Sequence, residues 1–228
     1  MLKGLLFDKD GTLFDFHATW SVWARQVIDT LAGGDAARVQ SIAESMHYDL
    51  GANLFSPTSP IIAGTNREAA EHVAAGLPGS DVDTIERFLM ESSAEAPLAP
   101  AVPLGPFIEA LREMELKLGV MTNDTEYGAR AHLEAAGVAG HFDFIAGFDS
   151  GHGAKPAPDP LLAFAQVVDL APKEVGMVGD STHDLIAGRA AGMVTIGVLT
   201  GTAGHDDLAP YADVVFPDIG HIPAWLSA

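Results

Sequence analysis

Two kinds of apolar pattern alternate along this chain. Residues 4–7 (GLLF), 117–121 (KLGVM), 142–148 (FDFIAGF), 175–178 (VGMV), 194–199 (VTIGVL) and 213–216 (DVVF) are short, largely apolar runs, the pattern of strands buried on both faces. Between the later runs, apolar residues recur at helical spacing. Phe107, Leu111 and Met114 share one face of residues 106–115, behind Pro106, which suits a first helical turn. Residues 125–137 follow a candidate cap at Asp124 and stop at Gly137, and residues 158–171 offer Asp159 as cap and Pro160 as first helical residue. Residues 182–192 end at Gly192. Strand and helix in alternation predict an α/β protein with a parallel sheet.

Residues 17–96 break the alternation. Trp20, Trp23, Val27 and Leu31 share a helical spacing, as do Val39, Ile42, Met46 and Leu50, and residues 66–76 and 81–92 supply two more helical patterns. No strand pattern is evident there, so an all-helical insert over 16–99 is expected between core segments 1–15 and 100–228. The return segment 92–106 is rich in Ala and Pro, which suits a semi-rigid connection. Residues 53–66 (NLFSPTSPIIAGTN) interrupt the helical patterns and predict a loop facing the core.

At 228 residues, with 48% hydrophobic and 19% charged positions, the chain has the composition of a soluble globular protein. Charge alters that picture. Twelve Lys and Arg against 31 Asp and Glu leave a formal −19, which repels nucleic acid and anionic membranes. An anionic substrate therefore needs a metal ion or a local cation. The absence of cysteine excludes disulfides and thiolate chemistry. The N-terminal apolar run is cut short by Asp8 and no run reaches membrane-spanning length, so a cytoplasmic, soluble protein is expected. Charge and composition do not decide oligomeric state; a monomer is the working expectation.

The candidate chemistry gathers where apolar runs end. Asp8 and Asp10 follow the first run, and residues two apart in extended chain point the same way. Gly11 permits a turn there and Thr12 can brace it. Two carboxylates so close repel unless a cation or shared proton relieves them, and Mg²⁺ prefers such hard oxygen ligands. Asp180 ends a later run with Asp184 four residues on; Thr122 and Asn123 follow KLGVM, and Lys155 lies in GAKPAPDP. Taken singly these are ordinary turn, cap and surface residues. Jointly they are unusual: a DxDGT string alone arises by chance in roughly one chain of this length in several hundred.

These residues resemble the four motifs of the haloacid dehalogenase superfamily, in order: DKDGTL, VMTND, the Lys of AKPAPDP, and GDSTHD. The likeness is greatest to phosphoglycolate phosphatase-like members and extends over nearly the whole chain, because the insert after the first motif looks like the family's helical cap. The resemblance implies a Rossmann-like core and a phosphatase using Mg²⁺ on a small phosphorylated metabolite, with 2-phosphoglycolate leading. By position, Asp8 would be the nucleophile and Asp10 the general acid and base. Asp8, Asp180 and Asp184, with the Asp10 backbone carbonyl, would hold the metal, Asp184 mainly through a metal-bound water. Thr122, Asn123 and Lys155 would bind the phosphoryl group. His17 and Arg25, placed in the cap, are candidates for substrate recognition, while the Trp20–Trp23 pair reads as cap core. Lys9, turned away from Asp8 by alternation, is expected to be solvated or paired rather than catalytic.

Two other functions compete with this reading. A β-phosphoglucomutase-like phosphomutase shares the four motifs and differs in the lifetime of the aspartyl-phosphate. A non-catalytic ligand-binding protein on the same fold is the alternative from another class.

Overall fold

The computed structural model describes residues 2–56, 58–62 and 64–228. The first strand, β1 (Gly4–Phe7), leads to helices α1 (Phe16–Ala32) and α2 (Ala36–Ser45). A two-residue antiparallel pair follows, β2 (Tyr48–Asp49) with β3 (Leu54–Phe55), and then α3 (Asn66–Gly76) and α4 (Val82–Ser93). From there strands and helices alternate: α5 (Leu104–Glu113), β4 (Lys117–Met121), α6 (Glu126–Ala135), β5 (Phe144–Ala146), α7 (Asp159–Val167), β6 (Val175–Gly179), α8 (Thr182–Ala191), β7 (Val194–Val198), α9 (His205–Leu208), β8 (Val214–Phe216) and α10 (Ile222–Leu226).

Six strands form one parallel sheet in the order β5-β4-β1-β6-β7-β8. The chain builds outward from β1 to β4 and β5, then crosses back to β6, so the carboxyl end of β1 lies at the switch point where α/β sheets bind ligands. Register does the rest: Phe7 pairs with both Val120 and Val178. Asp8, Thr122 and Asp180 therefore leave three adjacent strands at nearly the same level.

Alternation along the strands supplies both faces of the core. Leu5, Phe7, Leu118 and Val120 meet Phe107, Ile108 and Leu111 of α5, whereas Leu6, Met121 and Met177 meet Leu161 and Phe164 of α7. Each fully buried side chain of this kind contributes about 1.5–3 kcal/mol. Helices α1–α4 enclose a separate apolar cluster, with Trp20, Trp23, Ile28, Ile42, Val73 and Leu89 inside it. The chain enters and leaves this helical region side by side, as the Asp15 N–H donates to the Ala99 carbonyl at 2.7 Å and Ala101 to Leu13 at 2.9 Å. Many of the acidic residues cap helices: Asp15, Asp35 and Asp81 each accept from backbone N–H groups at the start of α1, α2 and α4. Among the described residues no helix is long and apolar enough to cross a membrane.

Several local expectations are corrected. The helical region does contain strands, β2 and β3, joined by a turn in which Asp49 Oδ1 accepts from Gly51 and Ala52 at 2.7 and 2.9 Å. Two residues per strand are too few to show a period. That turn carries Leu50 out of the expected helical face, since α2 ends at Ser45. Thr125, not Asp124, caps α6 by accepting from the Gly128 N–H at 3.0 Å, and Asp159 is the first residue of α7 rather than its cap. Of the loop expected over 53–66, Leu54–Phe55 is strand and Pro57 and Ala63 lie outside the described residues.

Candidate active site

Asp8 extends β1, its N–H donating to the Val178 carbonyl at 2.8 Å, and its carboxylate meets Lys155 Nζ at 2.7 Å. The same Nζ lies 2.6 Å from Asp184 Oδ1. Lys155 sits on the loop after β5, fastened by a reciprocal pair: its N–H donates to Asn123 Oδ1 and its carbonyl accepts from Asn123 Nδ2, both at 2.9 Å. Asp184 is the third residue of α8, where its Oδ2 accepts from the Ser181 N–H and hydroxyl at 3.0 and 2.7 Å. That leaves Oδ1 for Lys155. Asp180 accepts from Thr12 Oγ1 at 3.1 Å, and a Cβ on Gly11 or Gly201 would overlap its carboxylate. Gly11, with φ +79°, is required both by its turn and by this close approach.

Three buried carboxylates, Asp8, Asp180 and Asp184, thus bring oxygens within 4.8 Å of one another, with one lysine between two of them. Burial pushes Asp8 up to about 7, against the pull of Lys155 and with further push from Asp184 and Asp10. Asp180 is raised well above its ordinary value, through burial and then its two aspartate neighbours. For Lys155, burial works against the charge, but Asp184 and Asp8 overcome it and raise the group above its ordinary value. One cation against three carboxylates is an incomplete balance, and the donors are hard oxygens. The cluster fits a divalent cation of that preference.

A second buried lysine lies behind this cluster. Lys9 is fully buried and its Nζ reaches both Asp10 oxygens at 2.9 and 2.8 Å, Asp124 Oδ2 at 3.1 Å and His132 Nδ1 at 2.9 Å. It also lies 5.2 Å from the centre of the Trp20 ring. Trp20 Nε1 donates to Asp10 Oδ1 at 2.9 Å, while His132 Nε2 meets the Ser93 carbonyl at 2.6 Å. Since Nδ1 faces an ammonium, Nε2 carries the proton and donates to Ser93. Burial, then Lys9, hold His132 below its ordinary 6.5. This network ties β1 and α6 to α1 and α4.

Asp8, Asp10, Thr122, Asn123, Lys155, Asp180 and Asp184 all line one cavity of about 100 Å³. Asp8 and Asp10 share it, but their carboxylates are held by different lysines. Thr122 is buried, with Oγ1 accepting from the Asp124 N–H at 3.1 Å. Arg25 lies outside the cavity lining, on an exposed face of α1 where it donates to Asp29 at 2.9 Å. His17 is half-buried against Phe16 and also lies outside the lining. Trp20 belongs to the helical core as expected, yet it also lines the cavity and bonds Asp10. The sequence offers Thr12 only as a brace for its turn and Asp124 only as a cap, whereas Thr12 bonds Asp180 and Asp124 meets Lys9; the roles of Ser181 and His132 are not apparent in the sequence pattern. Thr12 and Ser181 stand beside motif aspartates, which is a usable signal; His132 has none.

A family profile described as haloacid dehalogenase-like hydrolase matches residues 2–192. The phosphoglycolate phosphatase of Neisseria meningitidis is 38% identical over 117 residues, or 50% of this chain. The match covers 48% of that protein, about half its length. The phosphoglycolate phosphatase of Escherichia coli is 28% identical over 216 residues, covering 88% of this chain and 82% of that protein. In fold, the crystal structure of a predicted phosphoglycolate phosphatase from Haemophilus somnus is similar, with a TM-score of 0.74 at 21% identity over 100% of this chain and 98% of the other. With the profile spanning most of the sequence and the acidic strand ends converging on one cavity, this chain belongs to the haloacid dehalogenase-like hydrolase family.

Proposed function

We propose that this protein is a Mg²⁺-dependent phosphatase that hydrolyses a small phosphomonoester through an aspartyl-phosphate on Asp8. The observation that carries the reading is Asp8 itself: buried at the switch point, 2.7 Å from Lys155, in a cluster of three carboxylate oxygens within 4.8 Å. An Asp8 oxygen attacks phosphorus, and the bond from phosphorus to the alcohol oxygen breaks while Asp10 delivers a proton to that oxygen. Water then gives a proton back to Asp10 and attacks phosphorus, releasing phosphate and freeing Asp8. Asp8, Asp180, Asp184 and the Asp10 carbonyl would hold Mg²⁺, which when bound neutralises carboxylate charge and polarises the phosphoryl oxygens. Lys155 and the Thr122 hydroxyl stabilise those oxygens from the protein side, and Asn123 positions Lys155.

The helical region, residues 16–99, acts in this reading as a cap over the core formed by 1–15 and 100–228. The protein works as a cytoplasmic monomer on a small phosphorylated metabolite, with no nucleic-acid or membrane partner. The names of its relatives make 2-phosphoglycolate the reference substrate. The test is phosphate release from a panel of phosphomonoesters with Mg²⁺ and with EDTA, comparing wild type with Asp8→Asn. Turnover only by wild type with Mg²⁺ is the expected result; no release from any compound overturns the reading.

A further inference from the structure

The part of the cavity contributed by the helical region is walled by Phe16, Trp20, Trp23, Phe55, Ile61 and Ile62. Each polar side chain on that wall makes a hydrogen bond within the protein. Trp20 Nε1 donates to Asp10 at 2.9 Å and Trp23 Nε1 to Ser92 Oγ at 3.2 Å. Thr65 Oγ1 donates to Glu68 at 3.0 Å, and Asn66 Nδ2 to the Glu86 carbonyl at 3.0 Å.

Cations are lacking. Among the described lining residues Lys155 is the only Lys or Arg, and it is held between Asp8 and Asp184. The four arginines of residues 16–99 all lie outside the lining. Arg25 pairs with Asp29, Arg38 with Asp35 and Arg67 with Asp83 and Glu86, while Arg87 is exposed. The start of α3 borders the cavity through Gly64, Thr65 and Asn66, a place where a helix ordinarily attracts an anion. Here Glu68 sets a carboxylate at that end, accepting from the Thr65 N–H at 2.7 Å, and its negative charge opposes a second anion. Asp10 adds negative charge to the lining, and His183, the remaining basic residue, stands on α8 and not on the wall of the helical region.

A carboxylate on the departing alcohol would be desolvated among indole and isoleucine side chains with no Lys or Arg on that wall to meet it, the proposed Mg²⁺ and Lys155 being engaged with the aspartates and the phosphoryl group, which is unfavourable. Sugar hydroxyls face the same walls with the indole N–H donors already engaged. We propose that the alcohol released by this site is uncharged and apolar, an aromatic or branched-alkyl group, and not the carboxylated alcohol of 2-phosphoglycolate. The inference rests on the phosphatase reading and names its substrate class.

The experiment compares kcat/KM for benzyl phosphate, 4-carboxybenzyl phosphate and 2-phosphoglycolate in the presence of Mg²⁺. Benzyl phosphate is expected to exceed both carboxylated compounds by roughly a hundredfold or more. Equal or higher kcat/KM for 2-phosphoglycolate overturns the inference and leaves the phosphatase reading intact. If no compound is turned over, the phosphatase reading fails, and calorimetric binding of two unreactive phosphonates decides the cavity's preference separately. Tighter binding of 2-phenylethylphosphonate than of 3-phosphonopropionate supports an apolar site, and the reverse order overturns it.

Discussion

Lys155 meets Asp8 and Asp184, and Lys9 meets Asp10 and Asp124. Both lysines are buried and both are surrounded by acid, yet their surroundings differ in one respect. Around Lys155 a third carboxylate, Asp180, stands unopposed at the cavity wall, whereas around Lys9 the remaining directions are closed by His132 and the face of Trp20. The first cluster carries a third carboxylate where a ligand can reach it, whereas in the second Lys9 and His132 are shut between sheet and helices and only Asp10 and Asp124 reach the cavity wall. The Lys155 cluster is arranged to hold a ligand; the Lys9 cluster is arranged as a joint that holds parts of the fold together. The joint also holds Asp10, so the residue proposed to move protons is positioned by contacts that span both parts of the molecule.

The largest effect expected is that of Asp8→Asn, which removes the proposed nucleophile: phosphate release falls by about a thousandfold or more while the protein stays folded. Retained turnover would place the chemistry elsewhere. Next come the two lysines, compared by chemical denaturation. Lys155→Met leaves the buried Asp8 and Asp184 without their cation and is expected to lose about 3–5 kcal/mol of stability, and Lys9→Met, whose partners Asp10 and Asp124 are only partly buried, about 2–4 kcal/mol. Added Mg²⁺ restores much of the loss in Lys155→Met and little of it in Lys9→Met. Equal rescue of both variants would abolish the distinction between site and joint.

The third prediction concerns pH. Asp8 holds its proton more tightly when folded, at about 7 against an ordinary 3.8, so its contribution is fully present below the lower value and is lost as pH rises through the higher. Mg²⁺ offsets the resulting repulsion and so raises the melting temperature more at pH 8 than at pH 5. A larger shift at pH 5 would contradict the proposed ligands. His132 acts in the opposite sense. Its folded pKa lies below 6.5, so the Mg²⁺-loaded protein loses stability from this group as pH falls through 6.5. His132→Phe should remove that slope and cost about 1–3 kcal/mol at neutral pH, because the Ser93 carbonyl loses its donor and Lys9 keeps only Asp10 and Asp124. An unchanged pH slope in the variant would show that His132 is not its source. Smallest is Trp20→Phe, which deletes one hydrogen bond to Asp10 and is expected to cost about 1 kcal/mol in denaturant; a null effect would remove Trp20 from the joint.

Strand ends and helix patterns made the α/β alternation legible, because a strand buried on both faces must be continuously apolar and a helix against it must repeat every three or four residues. The positions of Asp8, Asp180 and Lys155 at strand or loop ends were legible for the same reason. The pair β2 and β3 was not, since two residues carry no period. Asp124 illustrates a different limit. A carboxylate just before a helix reads as its cap, but Thr125 supplies the cap and Asp124 turns to Lys9, 115 positions earlier in the chain.

What the sequence determined by itself is the inventory: which runs become strands, where the acidic and hydroxyl residues stand at their ends, and that an acidic chain needs a local positive site to bind a phosphate ester. Tertiary structure decided the pairings. The order of strands around β1 brought Asp8, Asp180 and Asp184 to one point, and the packing of α1 and α4 on β1 and α6 closed Lys9 inside a network with His132 and Ser93. It also turned the arginines of the helical region away from the cavity and faced it with aromatic rings. Periodicity is local and survives in a one-dimensional reading, whereas the partner of a buried charge is set by whichever distant segment fills the space beside it.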